Sequence, residues 1–201
     1  MKFFAALFLI LTTISLPARA AELSASDRAA IGVAESWINS IKTFKAEFLQ
    51  TTSNGGVAQG EILILRPGRM LIDYAPPAQL EVFADGHWMI YLDRELKEVN
   101  QVPLSATPAR LLLEKNVRFS EEADVTVKES DRAIRLFLAR KGSPEDGRIT
   151  LLFSKDPVRL RAWTVIDPQG VETSVSLLKA ETNQPIDERR LNYSPPDWAF
   201  E

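Results

Sequence analysis

The chain has 201 residues with 24 basic and 27 acidic side chains, a formal charge of −3 at neutral pH, one histidine and no cysteine. That length suits one domain with a sizeable core, and a mildly acidic balance without basic runs argues against nucleic acid and against electrostatic docking on anionic lipid. A zinc site lacks ligands, and a disulfide framework and a lipid-attachment cysteine are excluded, which leaves proteins or apolar molecules as the expected partners.

Residues 1–20 open with Lys2, run apolar from Phe3 to Leu16 and close on Ala18-Arg19-Ala20, the pattern of a cleaved secretory signal. The run is too short for a membrane span of about 20 residues. Export and release of residues 21–201 as a soluble product are expected, a retained anchor being the competing reading. Ser26-Asp27 is placed to cap a helix whose Ile31, Ala34, Trp37, Ile38 and Ile41 form one apolar stripe. From Phe44 the period changes to two, until Ser53-Asn54-Gly55-Gly56 turns the chain. Strands are predicted near residues 58–66, 70–74, 80–84, 87–92 and 96–102, with turns at Pro67-Gly68, Pro76-Pro77 and a hairpin at Asp85-Gly86. Thr107-Pro108 suits N-cap and N1 of a short helix running to Glu114. Further strands follow near residues 124–129, 134–140, 149–154, 160–166 and 171–180. No repeat or low-complexity tract interrupts this order.

Several strands are apolar on both faces: Ile62 and Ile64 oppose Leu63 and Leu65. A sheet with one wet face alternates more cleanly. Periodicity leaves two explanations open, a sheet covered by helices on one side and loops on the other, or an open, curved barrel enclosing an apolar cavity plugged by helices. One charge stands out in this surface. Arg66 ends the strand predicted over residues 58–66, and an arginine at the edge of apolar sheet needs partners for its five donors. Its alternative is a strand-end side chain in water.

Catalytic chemistry has little to work with. His87 follows a hairpin glycine and belongs in solvent, no serine sits in a G-x-S-x-G elbow, and neither a Walker A nor a G-x-G-x-x-G loop occurs. Glu121-Glu122 lies in a charged stretch and is solvated surface rather than an acid–base pair.

The succession of Phe48 and Gln50, Gly60 with Arg66-Pro67, Tyr74, Asp85-Gly86, then Asp93, Leu96 and Val99, then Thr107-Pro108 with Leu111-Leu112, resembles the LolA family of periplasmic lipoprotein carriers over most of residues 21–201. That resemblance implies a mainly β (α+β) fold, a single curved antiparallel sheet of about eleven strands forming an open, incomplete barrel closed by helices that act as a lid. It implies no enzyme activity and no cofactor or metal. It also implies a monomer that binds the acyl chains of lipoproteins, loaded by an inner-membrane ABC transporter and emptied to an outer-membrane acceptor. Arg66 would latch the lid. Ile62, Ile64, Met70, Ile72, Val82, Trp88, Ile90, Leu111 and Leu112 would line the cavity. Two positions depart from the family pattern: Ile72 stands where many relatives carry tryptophan, and the aromatic after Asp-Gly is displaced, Trp88 and Tyr91 flanking Ile90. A three-residue loop after Leu65 would put Arg66, Met70 and Ile72 on one face, whereas a two-residue loop would not. The rival functions are a lipoprotein-sensing or lipid-binding periplasmic regulator of the same fold and an enzyme acting on envelope lipid.

Overall fold

The computed structural model describes residues 23–143, 145 and 147–200, so the expected signal at 1–20 lies outside the described residues. Helix α1 (Ala25–Asn39) is capped two residues before the expected Ser26. Ser24 is the N-cap: its Oγ accepts from the Asp27 amide at 3.0 Å, while the Asp27 carboxylate accepts from the Ser24 amide at 3.1 Å. This reciprocal box satisfies two of the orphan amides of the first turn, which Ser26 cannot do from inside the helix. Ala30, Ile31, Ala34 and Ile38 form the buried stripe.

Eleven antiparallel strands make one sheet: β1 (Thr43–Thr52), β2 (Val57–Leu65), β3 (Arg69–Tyr74), β4 (Leu80–Asp85), β5 (Trp88–Asp93), β6 (Glu98–Pro103), β7 (Ala123–Glu129), β8 (Ala133–Arg140), β9 (Arg148–Lys155), β10 (Val158–Ile166) and β11 (Glu172–Thr182). The order β6-β5-β4-β3-β2-β1-β11-β10-β9-β8-β7 joins two meanders through the β1–β11 pair. β6 and β7 are the edges and do not pair with each other, so the curved sheet stays open. Short helices α2 (Arg110–Leu113) and α3 (Phe119–Glu122) lie in the connection between the meanders. Thr107 does not cap α2 through its side chain: its hydroxyl donates back to the Leu104 carbonyl at 2.9 Å, closing the 3-10 turn Leu104–Ala106.

The strands are apolar on both faces because both faces are covered. On the inner face, α1 packs with Phe44, Ala46, Phe48, Ile62, Leu136, Leu151 and Phe153. On the outer face, Leu63, Leu71, Phe83, Ile90 and Leu92 pack beneath the C-terminal segment through Leu191, Ile186, Tyr193 and Trp198. Helical cover on one side and irregular chain on the other thus coexist with the open barrel. The cover named by the first explanation and the open, curved sheet named by the second are both present.

Candidate functional site: an arginine-tied lid on an apolar sheet face

The loop between β2 and β3 has three residues, since Leu65 pairs with Arg69 and Ile64 with Met70. Ile62 then faces Ile72 across the ladder, and Ile62, Ile64, Met70 and Ile72 all point inward. Val82 joins them from β4, and Leu111 and Leu112 approach from α2, partly buried against the same core. Two expected lining residues do not belong to this face. Ile90 pairs with Phe83 and is buried on the outer side, and Trp88, of the same parity, is 44% exposed. Met89 and Tyr91 take the inward places, opposite Ala84 and Val82. The sequence carried that signal: a two-residue turn at 85–86 or at 86–87 sends the odd-numbered residues of β5 to the Val82 face. The loop is Gly86-His87, with the Asp85 carboxylate accepting from the His87 and Trp88 amides at 2.8 Å each.

No polar or charged residue is buried among the described residues. The inner face is therefore a surface that α1 covers mainly by apolar contact, with Trp37 edge-on to Phe153 at 5.8 Å. Space inside is small. A gap of about 30 Å³ lies among Trp37, Ile38, Phe44, Ile64, Leu112 and Trp163, room for a water molecule and far below the 300–1,000 Å³ of typical ligand pockets. The expected cavity is occupied by lid side chains in this structure. A larger groove of about 400 Å³ opens along the seam where Thr107, Pro108 and Leu111 face Leu138, Ile149 and Val165.

Arg66 bonds to both covering segments, α1 and the chain after α2. Its backbone amide donates to the Lys42 carbonyl at 2.8 Å, and its side chain enters the inner face. Nη1 donates to the Ile38 carbonyl, in the last turn of α1, and Nη2 to the Glu114 carbonyl after α2. Longer contacts reach the Ile41 carbonyl at 3.4 Å and Asn39 Oδ1 at 3.3 Å. A cation at a helix C-terminus meets carbonyls that lack intrahelical partners and the negative end of the helix dipole. Nε is buried without a partner, and burial lowers the guanidinium's pKa, although arginine stays charged at neutral pH.

The lid is also stitched to itself. Asn39 accepts from the Val117 amide at 2.8 Å and donates to the Val117 carbonyl at 3.0 Å. Glu35 accepts from the Phe119 amide at 2.6 Å, and Phe119 is fully buried. Burial raises the Glu35 pKa against the opposing pull of that hydrogen bond. Sequence reading did not find Asn39 or Glu35, because their partners lie 78 and 84 residues away in irregular chain. At the opposite end of the β1–β2–β3 unit, Phe48 meets Tyr74 edge-on at 5.2 Å, and the Tyr74 hydroxyl donates to Gln50 at 2.8 Å. Among the described residues no cluster of His, Asp or Glu could hold a metal ion, and no helix is long and apolar enough to cross a membrane.

Residues 39–194 match the family described as outer membrane lipoprotein carrier protein LolA, a span that takes in the whole sheet, the Arg66 hairpin and most of the C-terminal segment. The chain belongs to the LolA family. An outer-membrane lipoprotein carrier protein from Chromohalobacter salexigens is 26% identical over 197 residues, covering 93% of this chain and 91% of its own. One of the same name from Legionella pneumophila is 28% identical over 173 residues, covering 82% and 85%. Among solved structures, an uncharacterized conserved protein from Thermus thermophilus is similar in fold, with a TM-score of 0.55 over 86% of this chain and 96% of its own at 12% identity. LolA-family proteins are named for carriage, not for catalysis.

Proposed function

We propose that this chain is a periplasmic carrier that takes the acyl chains of outer-membrane lipoproteins onto the inner face of its sheet and ferries them between the membranes. An inner-membrane ABC transporter would load it, and an outer-membrane acceptor would empty it. The observation that carries the proposal is an inner face whose buried residues are all apolar, covered by a lid whose charged tie to the sheet is Arg66, in a chain of the LolA family. The residues proposed to meet lipid are Ile62, Ile64, Met70, Ile72, Val82, Leu111 and Leu112.

An acylated anchor is insoluble in water, each buried methylene being worth about 0.8 kcal/mol. Because lid side chains fill the interior, acyl chains enter by displacing α1 and the 110–119 segment, and the apolar surface that the lid vacates is covered again by lipid. Such an exchange can run without ATP if the closed and open forms differ by a few kcal/mol. The carbonyls of Ile38 and Glu114 supply the closing bias by recapturing Arg66 when lipid leaves. The test is binding of a fluorescent acyl probe and its displacement by a synthetic triacylated lipopeptide. Saturable binding with competition is expected. Failure of the probe to saturate at high micromolar concentration would reduce the inner face to an ordinary core.

A further inference from the structure

The β2–β3 hairpin is held from both sides. On the inner side Arg66 and the Gly68 amide, which donates to the Leu113 carbonyl at 2.9 Å, hold the lid. On the outer side Arg69, first residue of β3, donates through Nη2 to the Glu188 carbonyl at 3.1 Å and to Asn192 Oδ1 at 2.7 Å. Its Nη1 lies 3.5 Å from the Glu188 carboxylate. Both partners belong to the C-terminal segment, whose 3-10 turn Glu188–Leu191 lies over β2, β3 and β4.

A second contact gives this strap a physical role. Glu61 and Asp73 pair directly across β2 and β3, and two carboxylates in that position repel. Arg190 of the strap binds both, reaching Asp73 at 3.0 Å, and Lys45 joins Glu61 at 2.9 Å. Hydrogen bonds from Lys45 and Arg190 keep the Glu61 carboxyl ionised more readily than usual although burial opposes it. Removing the strap would leave the two carboxylates facing each other with Lys45 alone for relief. It would also uncover Leu63, Leu71 and Phe83 beneath Leu191 and Tyr193.

We infer that Arg69 and Arg190 are positioning residues for the lid: the C-terminal strap sets the stability of the β2–β3 hairpin, and thereby how firmly Arg66 holds the lid shut. This rests on the latch role proposed for Arg66. Four residues, Arg66 to Arg69, span the two grips, so the hairpin cannot loosen on one side without moving the donors of the other. A partner that binds the strap would thus ease lid opening without touching lipid.

Amide hydrogen exchange on the full chain tests the inference in a double-mutant cycle. Arg69→Ala and Arg190→Ala are each expected to speed exchange at Gly68, Val117 and Phe119 about tenfold, the size expected for one lost charge-assisted hydrogen bond. Amides of Leu138 and Ile149, in β8 and β9, are expected to stay at wild-type rates, which separates the effect from general destabilisation. In an Arg66→Leu background, Arg69→Ala should add little at Val117 and Phe119. Arg69→Gln, which keeps one donor nitrogen but no charge, is measured alongside and should give an intermediate rate. Unchanged lid exchange in both strap variants, equal acceleration in β8 and β9, or full additivity with Arg66→Leu would overturn the coupling. Should Arg66→Leu alone leave the lid unaffected, the latch reading fails; the coupling then stands only if Arg69→Ala still accelerates Val117 through the Gly68–Leu113 bond, and falls if it does not.

Discussion

Replacing Arg66 with leucine removes the guanidinium that ties α1 and the segment after α2 to the sheet. Two charge-assisted hydrogen bonds to carbonyls disappear, about 1.5–3 kcal/mol each. The Ile38 carbonyl is not orphaned, because it also accepts from the Ile41 amide at 3.1 Å. Leucine regains part of the loss: it eliminates the unpartnered Nε, a burden of about 1–3 kcal/mol, and fits among Ile38, Ile41, Phe44 and Leu112. A net bias of about 2–3 kcal/mol toward the open lid remains, a population shift on the order of a hundredfold. The chain has no cysteine, so spin labels at Val33→Cys on α1 and Leu178→Cys on β11, both exposed, report their separation by pulsed electron resonance. The variant should add a population at longer distance, load lipopeptide as well as the parent, and transfer it poorly. Arg66→Lys should restore part of the short-distance population, since an ammonium lacks the fork that spans two carbonyls. An unchanged distance distribution and unchanged transfer, at unchanged melting temperature, would make Arg66 a solvated strand-end residue and refute the latch.

Gly60→Ala would place a Cβ 2.1 Å from the Asp73 carbonyl oxygen and 2.7 Å from the Phe48 ring, so the fold should lose about 3 kcal/mol, read as a melting temperature lower by roughly 10 °C. Burial raises the Glu35 pKa, which disfavours the folded state above that value and is relieved as the pH falls through it toward the ordinary 4.5. Glu35→Gln should therefore raise the melting temperature at pH 7 and give no advantage below pH 4.5, as melting curves across that range will show. Glu61 has the opposite sign: its pKa is lowered, so its contribution is present above 4.5 and is lost as the pH falls through the folded value. Limited proteolysis should find the C-terminal strap released in that acid window, and released at neutral pH in Arg190→Ala.

The inner face was legible in the sequence wherever a turn pinned the register. Ile62, Ile64, Met70 and Ile72 come together because Arg66-Pro67-Gly68 forms a three-residue loop, one of the two options the turn chemistry allowed. The resemblance put Trp88 and Ile90 inside, and parity across Gly86-His87 places them outside. The strap was not legible. Residues 183–198 contain Pro185, Pro195 and Pro196 and no apolar period, so nothing marked Ile186, Leu191, Tyr193 and Trp198 as cover. Their one trace was indirect, the apolar residues Leu63, Leu65, Leu71 and Phe83 on a face that would otherwise meet water. Nor does periodicity tell how deeply α1 settles. Only packing shows that the gap beside Trp37 and Ile38 is no more than about 30 Å³.

Native mass spectrometry of the protein recovered from a periplasmic extract under gentle conditions tests carriage most directly. A carrier should show a fraction of molecules with one acylated lipoprotein bound, displaced when a triacylated lipopeptide is added in excess. Arg66→Leu should accumulate this loaded species. A protein that emerges empty, or that holds only free phospholipid which lipopeptide does not displace, would contradict lipoprotein carriage.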